Sequence, residues 1–122
     1  MPILNVELVG EVESRLREGL AERLANAAGA ALNSRPHGTW VKLHCLPADQ
    51  YAENDGGPTE GALPVLVSLL QAEVPTGQIL EQQVSALTAA VAECTGRPHE
   101  NVHLIFEPSG VGRVAFGGKL VQ

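Results

Sequence analysis

Aromatic side chains are scarce, with two phenylalanines, one tyrosine and one tryptophan among 122 residues. A core with so few large rings must be filled by aliphatic groups, and a hydrophobic content of 44% supplies them. Basic residues are few as well. Eight lysines and arginines stand against fourteen acidic residues, a formal charge of −6, and no basic cluster occurs. That excludes the electrostatic footprint of a nucleic-acid partner. Cysteine is limited to Cys45 and Cys94, too few for a disulfide framework and outside any paired metal-ligand spacing, so both are expected as buried, reduced thiols. No apolar run approaches the roughly 18 residues of a spanning helix, and the start has neither the basic region nor the apolar core of a signal peptide. A cytoplasmic protein with no membrane partner is the expectation, and the length suits a single domain.

In place of these features the sequence has repetition. Ser34-Arg35-Pro36-His37, followed by Trp40-Val41-Lys42-Leu43-His44, returns as Gly96-Arg97-Pro98-His99, followed by Asn101-Val102-His103-Leu104-Ile105. Pro2, which opens an apolar stretch, returns as Pro64 at the head of Val65-Leu66-Val67-Ser68-Leu69-Leu70, and Gly56-Gly57 returns as Gly117-Gly118. Four landmarks in one order, at offsets of 61 to 62 residues, indicate a tandem duplication with halves 1–57 and 62–122. Two units are below the count of a solenoid. A half of this size buries only about 60% of its surface alone, so the halves are expected to complete one core.

Periodicity places the elements. Leu4, Val6 and Leu8 alternate with Asn5 and Glu7, the pattern of a half-buried strand. Leu16, Leu20, Leu24, Ala28 and Ala31 form one helical stripe, predicting a helix that Pro36 forces to stop near residue 33. Trp40 to Leu46 alternates again, with Val41, Leu43 and Cys45 on one face and Lys42 and His44 on the other. Residues 53–62 are rich in turn formers and are expected to link the halves. The second half repeats the plan. A strand over 65–70 leads to a helix opened by Pro75 and capped by Thr76, striped by Leu80, Val84, Leu87, Val91 and Cys94, and ended by Gly96 and Pro98. A fourth strand buries Val102, Leu104 and Phe106 and shows His103, Ile105 and Glu107, and a glycine-rich tail predicts a small hairpin. The resulting fold class is α+β: a tandem β-α-β repeat with parallel pairing inside each unit, giving a four-stranded sheet with both helices on one face.

Pro2 opening a strand, Thr95-Gly96-Arg97-Pro98 ending a helix and Ala115-Phe116-Gly117-Gly118 near the end together resemble the tautomerase superfamily, which includes 4-oxalocrotonate tautomerase and macrophage migration inhibitory factor. The likeness covers nearly the whole chain, in the fused form with two β-α-β units per polypeptide. It implies a homotrimer with active sites at subunit boundaries, and a cofactor-independent isomerase acting on a small carboxylic acid through an amino-terminal proline. Once Met1 is cleaved, Pro2 would carry a free secondary amine on a rigid ring, anchored by a strand. Pro64 cannot substitute, being an internal amide.

By the same resemblance, the substrate-binding cation one position past the valine of the second strand maps onto Lys42 and His103. A basic residue lining the proline pocket maps onto Arg35 and Arg97. Each of the four also reads as an ordinary solvated charge. Tyr51 and Phe116 are candidate apolar walls, or simply packing. The arginine that dicarboxylate-specific members carry after the first strand is replaced by Val12 and Val74, so the bidentate clamp is missing, and neither lysine nor histidine offers the fork of a guanidinium. Two other readings stay open: a non-catalytic binding or assembly module on this fold, and a proline-dependent hydratase or dehalogenase of a small unsaturated acid.

Other motifs are set aside. Gly112, Gly117, Gly118 and Lys119 nearly spell a P-loop, but Arg113 occupies the place of a required glycine and no helix can follow. His44 and Cys45 point to opposite strand faces and cannot share a metal. His37 and His99 follow prolines in both halves, which marks an inherited turn rather than a zinc site.

Overall fold

The computed structural model describes residues 2–57 and 63–122. Along them run β1 (Ile3–Val9), a single helical turn α1 (Ser14–Arg17), α2 (Leu20–Ala31), β2 (Trp40–Leu46), β3 (Val65–Leu70), α3 (Gly77–Thr95) and β4 (Val102–Phe106). A terminal hairpin follows, formed by β5 (Ala115–Phe116) and β6 (Lys119–Leu120). The sheet order is β2-β1-β3-β4. β2 is parallel to β1 and β4 is parallel to β3, as a helical crossover requires, while β1 and β3 meet antiparallel at the centre.

This register decides what lies where. Because Ile3 pairs with Trp40 and with Leu70, one end of the sheet gathers the starts of β1 and β2 and the finish of β3. The opposite end gathers the finish of β1 and the starts of β3 and β4. Across the face, Lys42, Asn5, Ser68 and Ile105 form one row and His44, Glu7, Leu66 and His103 the next.

The other face carries the core. Leu4, Val6 and Leu8 of β1 and Val65, Val67 and Leu69 of β3 are each no more than 1% exposed. They pack with Leu20, Leu24 and Ala28 of α2 and Leu87 and Val91 of α3. Burying each such leucine or valine contributes about 1.5–3 kcal/mol. The core is therefore aliphatic, as the shortage of rings demands.

Four sequence expectations are corrected. The first helix is broken: Glu18 is extended and Gly19 takes φ 64°, a left-handed conformation that glycine adopts freely, so Leu16 belongs to a separate turn. Thr76 sits at the helix N-cap, but its side chain makes no capping hydrogen bond. Val84 lies 40% exposed, rotated off the buried stripe of α3. Cys45 is exposed, because β2 is an edge strand covered on its helix side by α2 alone, whereas Cys94 is buried.

Gly96 closes α3 with φ 72°, its N–H bonded to Ala92 O at 2.9 Å. That left-handed conformation favours glycine, and any Cβ placed there would have to displace Leu16 Cδ1, 2.8 Å away. The terminal hairpin turns on Gly117 and Gly118 at φ 57° and 85°, the paired positive values of a type I′ turn. Of the expected linker 53–62, residues 53–57 form a turn closed by a Glu53–Gly56 bridge, and 58–62 lie outside the described residues, as does Met1. No described helix is long and apolar enough to cross a membrane.

Candidate active site

Pro2 immediately precedes β1 and is half-buried. Its carbonyl accepts a hydrogen bond from the Trp40 N–H at 2.9 Å, which ties the first residues of the chain to the start of β2. The crossover from α2 to β2 therefore delivers its turn, residues 32–39, to the Pro2 end. That turn is held from within. Ser34 N–H donates to Gly29 O at 2.8 Å and Gly38 N–H to Arg35 O at 2.9 Å, and His37 takes φ 63°. A Cβ on Gly38 would stand 2.6 Å from Ser34 Oγ and 2.9 Å from Arg35 O, so only glycine fits.

The terminal hairpin forms the facing wall. Gly112 N–H donates to Val121 O and Val121 N–H to Val114 O, and the ring of Phe116 meets Trp40 edge to face, with centroids 5.3 Å apart and planes at 87°. Between turn and hairpin lies a cavity of about 400 Å³ lined by Arg35, Gly38, Trp40, Phe116 and Val121. The Arg35 guanidinium has no hydrogen bond or ion pair among the described residues, so it is available to an anion.

Arg97, the counterpart of Arg35, is not brought to this place. It lies at the opposite end of the sheet, where Nη1 donates to Leu63 O at 2.8 Å and Nη2 to Glu11 O at 3.1 Å. Burial lowers its pKa from the usual arginine value. Thr95 supports the same corner, accepting from Arg97 N–H at 3.4 Å and donating to Val91 O at 2.7 Å. The guanidinium fork fastens the first half of the chain to the second and is consumed in doing so.

Lys42 and His103 lie on the open sheet face, on the two edge strands and in different rows. Three strand spacings, about 14 Å, separate them before the row offset is counted, so one small molecule cannot touch both within a protomer. Lys42 borders a shallow depression of about 520 Å³ over this face, shared with Asn5, Glu7, His44, Ser68 and Ile105. Tyr51 follows the far end of β2, and its hydroxyl donates to Glu53 Oε2 at 2.6 Å. That hydrogen bond raises its pKa above the ordinary phenol value. Within one protomer Arg35 and Phe116 line one cavity with Trp40, to which Pro2 is bonded through its carbonyl, while Lys42, His103, Arg97 and Tyr51 lie elsewhere. Val12, where an arginine clamp would stand, packs against the core. No cluster of three metal-ligating side chains occurs among the described residues.

Sequence reasoning missed Trp40, Gly38 and Val121. Trp40 did carry a signal, since the matching position of the second half is a small polar residue, Asn101.

No family model matches this chain, and no curated protein sequence does. Solved structures do. Pt0534, inactivated by 2-oxo-3-pentynoate, is 18% identical with a TM-score of 0.78, over 98% of this chain and 94% of its own. Wild-type fused 4-OT, solved as a symmetric trimer, is 17% identical with a TM-score of 0.76, over 98% and 94%. Macrophage migration inhibitory factor from Oncomelania hupensis is 15% identical with a TM-score of 0.73, over 100% and 83%. The chain has the fold these proteins share, as its sequence resemblance implies.

Proposed function

We propose that the protein is a tautomerase that interconverts the enol and keto forms of a small 2-oxo carboxylic acid, with Pro2 as general base. The observation that carries this reading is that Pro2 is bonded through its carbonyl to Trp40, and Trp40 lines, with an unpaired Arg35 guanidinium, a partly apolar cavity at the same sheet end. The fold shared with fused 4-OT supports it.

With Met1 removed, the Pro2 nitrogen is a secondary amine. A free α-amino group titrates at about 7.7–8.0, and burial or a neighbouring cation acts in general to favour the neutral amine. A base matched to ambient pH is what a proton shuttle needs. Pro2 takes the enol O–H proton, and the oxygen electrons form the C=O as the C=C pair moves to carbon. The prolinium then returns the proton to that carbon. Arg35 holds the substrate carboxylate and stabilises the enolate charge in transit.

In this proposal the chain is one domain of two halves, 1–57 and 62–122, with one live amine and one silent copy of the site. At the silent copy, Pro64 is an amide and Arg97 is bonded to backbone. Lys42 on the open face supplies a second cation where copies of the chain meet, in a homotrimer like that of fused 4-OT. The test is turnover of phenylenolpyruvate to phenylpyruvate by protein of defined amino terminus. Activity in Met1-processed protein and its absence in Met1-retaining protein is the expected result; equal rates in both would discard the proline base.

A further inference from the structure

We infer that Trp40 positions the pocket at Pro2 and sets its specificity, by supplying the aromatic wall against which the apolar part of a bound carboxylate lies. The inference rests on that pocket being the substrate site. Three parts of the chain, distant in sequence, converge on this one residue. Its backbone N–H holds the Pro2 carbonyl at 2.9 Å. Its indole Nε1–H donates to His37 O at 3.0 Å, fixing the left-handed residue of the turn that carries Arg35. Its ring stands edge to face with Phe116 of the terminal hairpin. Even so, the side chain is 52% exposed.

A large ring held by its indole N–H and by Phe116 and still open to solvent is shaped for an external contact, since aromatic faces contribute strongly to binding when covered. The second half of the chain provides an internal comparison. Asn101 occupies the corresponding position, and its side-chain amide bonds Leu63 O at 3.5 Å, the carbonyl that Arg97 also holds. Where the arginine is consumed by backbone, a short polar residue joins it; where the arginine is free, a tryptophan stands in the wall. Free cation and exposed ring occur together. The ligand chemistry they fit is a monocarboxylate whose neighbouring group is flat and apolar, with its charge on Arg35 and its face on Trp40.

Trp40 is the only tryptophan, so its emission reads binding without turnover. Met1-processed protein is titrated with phenylacetate and, separately, acetate. We expect a saturable emission change with phenylacetate, none with acetate at the same concentrations, and loss of the phenylacetate response in Arg35→Ala. In steady-state assays, Trp40→Ala should lower the ratio of kcat/KM for phenylenolpyruvate to that for enolpyruvate by tenfold or more. Trp40→Phe keeps a ring but loses the indole bond; it should preserve that ratio while raising KM several-fold with kcat little changed. An unresponsive emission in active protein, or a Trp40→Ala ratio within twofold of the original, overturns the inference. A saturable, Arg35-dependent response in protein with no tautomerase activity supports the Trp40 contact and removes the proposed reaction. If Trp40→Ala does not fold, the emission titration and the Trp40→Phe kinetics decide alone.

Discussion

His44 Nδ1 and Glu7 Oε2 stand 2.7 Å apart across β1 and β2, on the sheet face that no helix covers. Both side chains are substantially exposed, and a solvated pair of this kind contributes at most about 1 kcal/mol. What matters is its company. Leu66 lies beside Glu7 in the same row, and Ile105, 53% exposed, lies in the next. An apolar and charged mixture spread over a whole sheet face is a surface that awaits cover.

The first prediction is assembly through that face. Sedimentation should give about three times 12.8 kDa. Ile105→Asp, which buries a charge in the contact, should shift the protein toward monomer while leaving the helix-side core intact. A wild-type protein that stays monomeric at micromolar concentration would contradict this.

A second prediction concerns the base. Pro2→Ala changes the pKa and geometry of the amine, and should lower kcat/KM by roughly 10²–10⁴, the usual worth of general acid–base catalysis. The Pro2 nitrogen donates no ladder hydrogen bond, so the melting temperature should move little. The kcat/KM profile should rise from the acid side as the amine loses its proton.

Substrate charge supplies a third. With Val12 and Val74 where a guanidinium clamp would stand, phenylenolpyruvate should be turned over with higher kcat/KM than 2-hydroxymuconate. A tenfold preference for the dicarboxylate would assign the second carboxylate to another cation.

The two duplicated arginines should part company. Arg97→Ala leaves the carbonyls of Leu63 and Glu11 without their charged donor and should destabilise the fold by about 1.5–3 kcal/mol in denaturant titration. Arg35→Ala removes no hydrogen bond made by the side chain among the described residues, so it should raise KM and spare stability.

The thiols give the last prediction. Cys45 is exposed and Cys94 buried, so a thiol reagent should modify one cysteine rapidly and the second only on unfolding. Burial raises the Cys94 pKa, opposed by the nearby Arg23. The folded state therefore keeps that proton longer than the unfolded chain does. The associated stability is intact below the ordinary thiol pKa and is lost as pH climbs through the raised folded value. Cys94→Ala should flatten that alkaline limb in a denaturation series.

Alternation and repetition by themselves determined the strands, the helices, the parallel pairing within each half and the aliphatic core. These follow from local period and from the need of each apolar face for a partner, as with Leu4, Val6 and Leu8 against Leu20 and Leu24. The break at Gly19 was less legible, because a glycine inside a helical stripe can be tolerated or can turn left-handed, and only packing chooses. Equal motifs also hid unequal roles. Arg35 and Arg97 sit in matching sequence, yet the antiparallel meeting of β1 and β3 sends them to opposite ends of the sheet, one to the end where Pro2 lies and one onto backbone carbonyls. Trp40 was legible only as a break in the repeat. Its place in the pocket wall depends on a hairpin more than seventy residues away, Phe116 against Trp40, and no local pattern encodes a contact made by the closing of the whole chain.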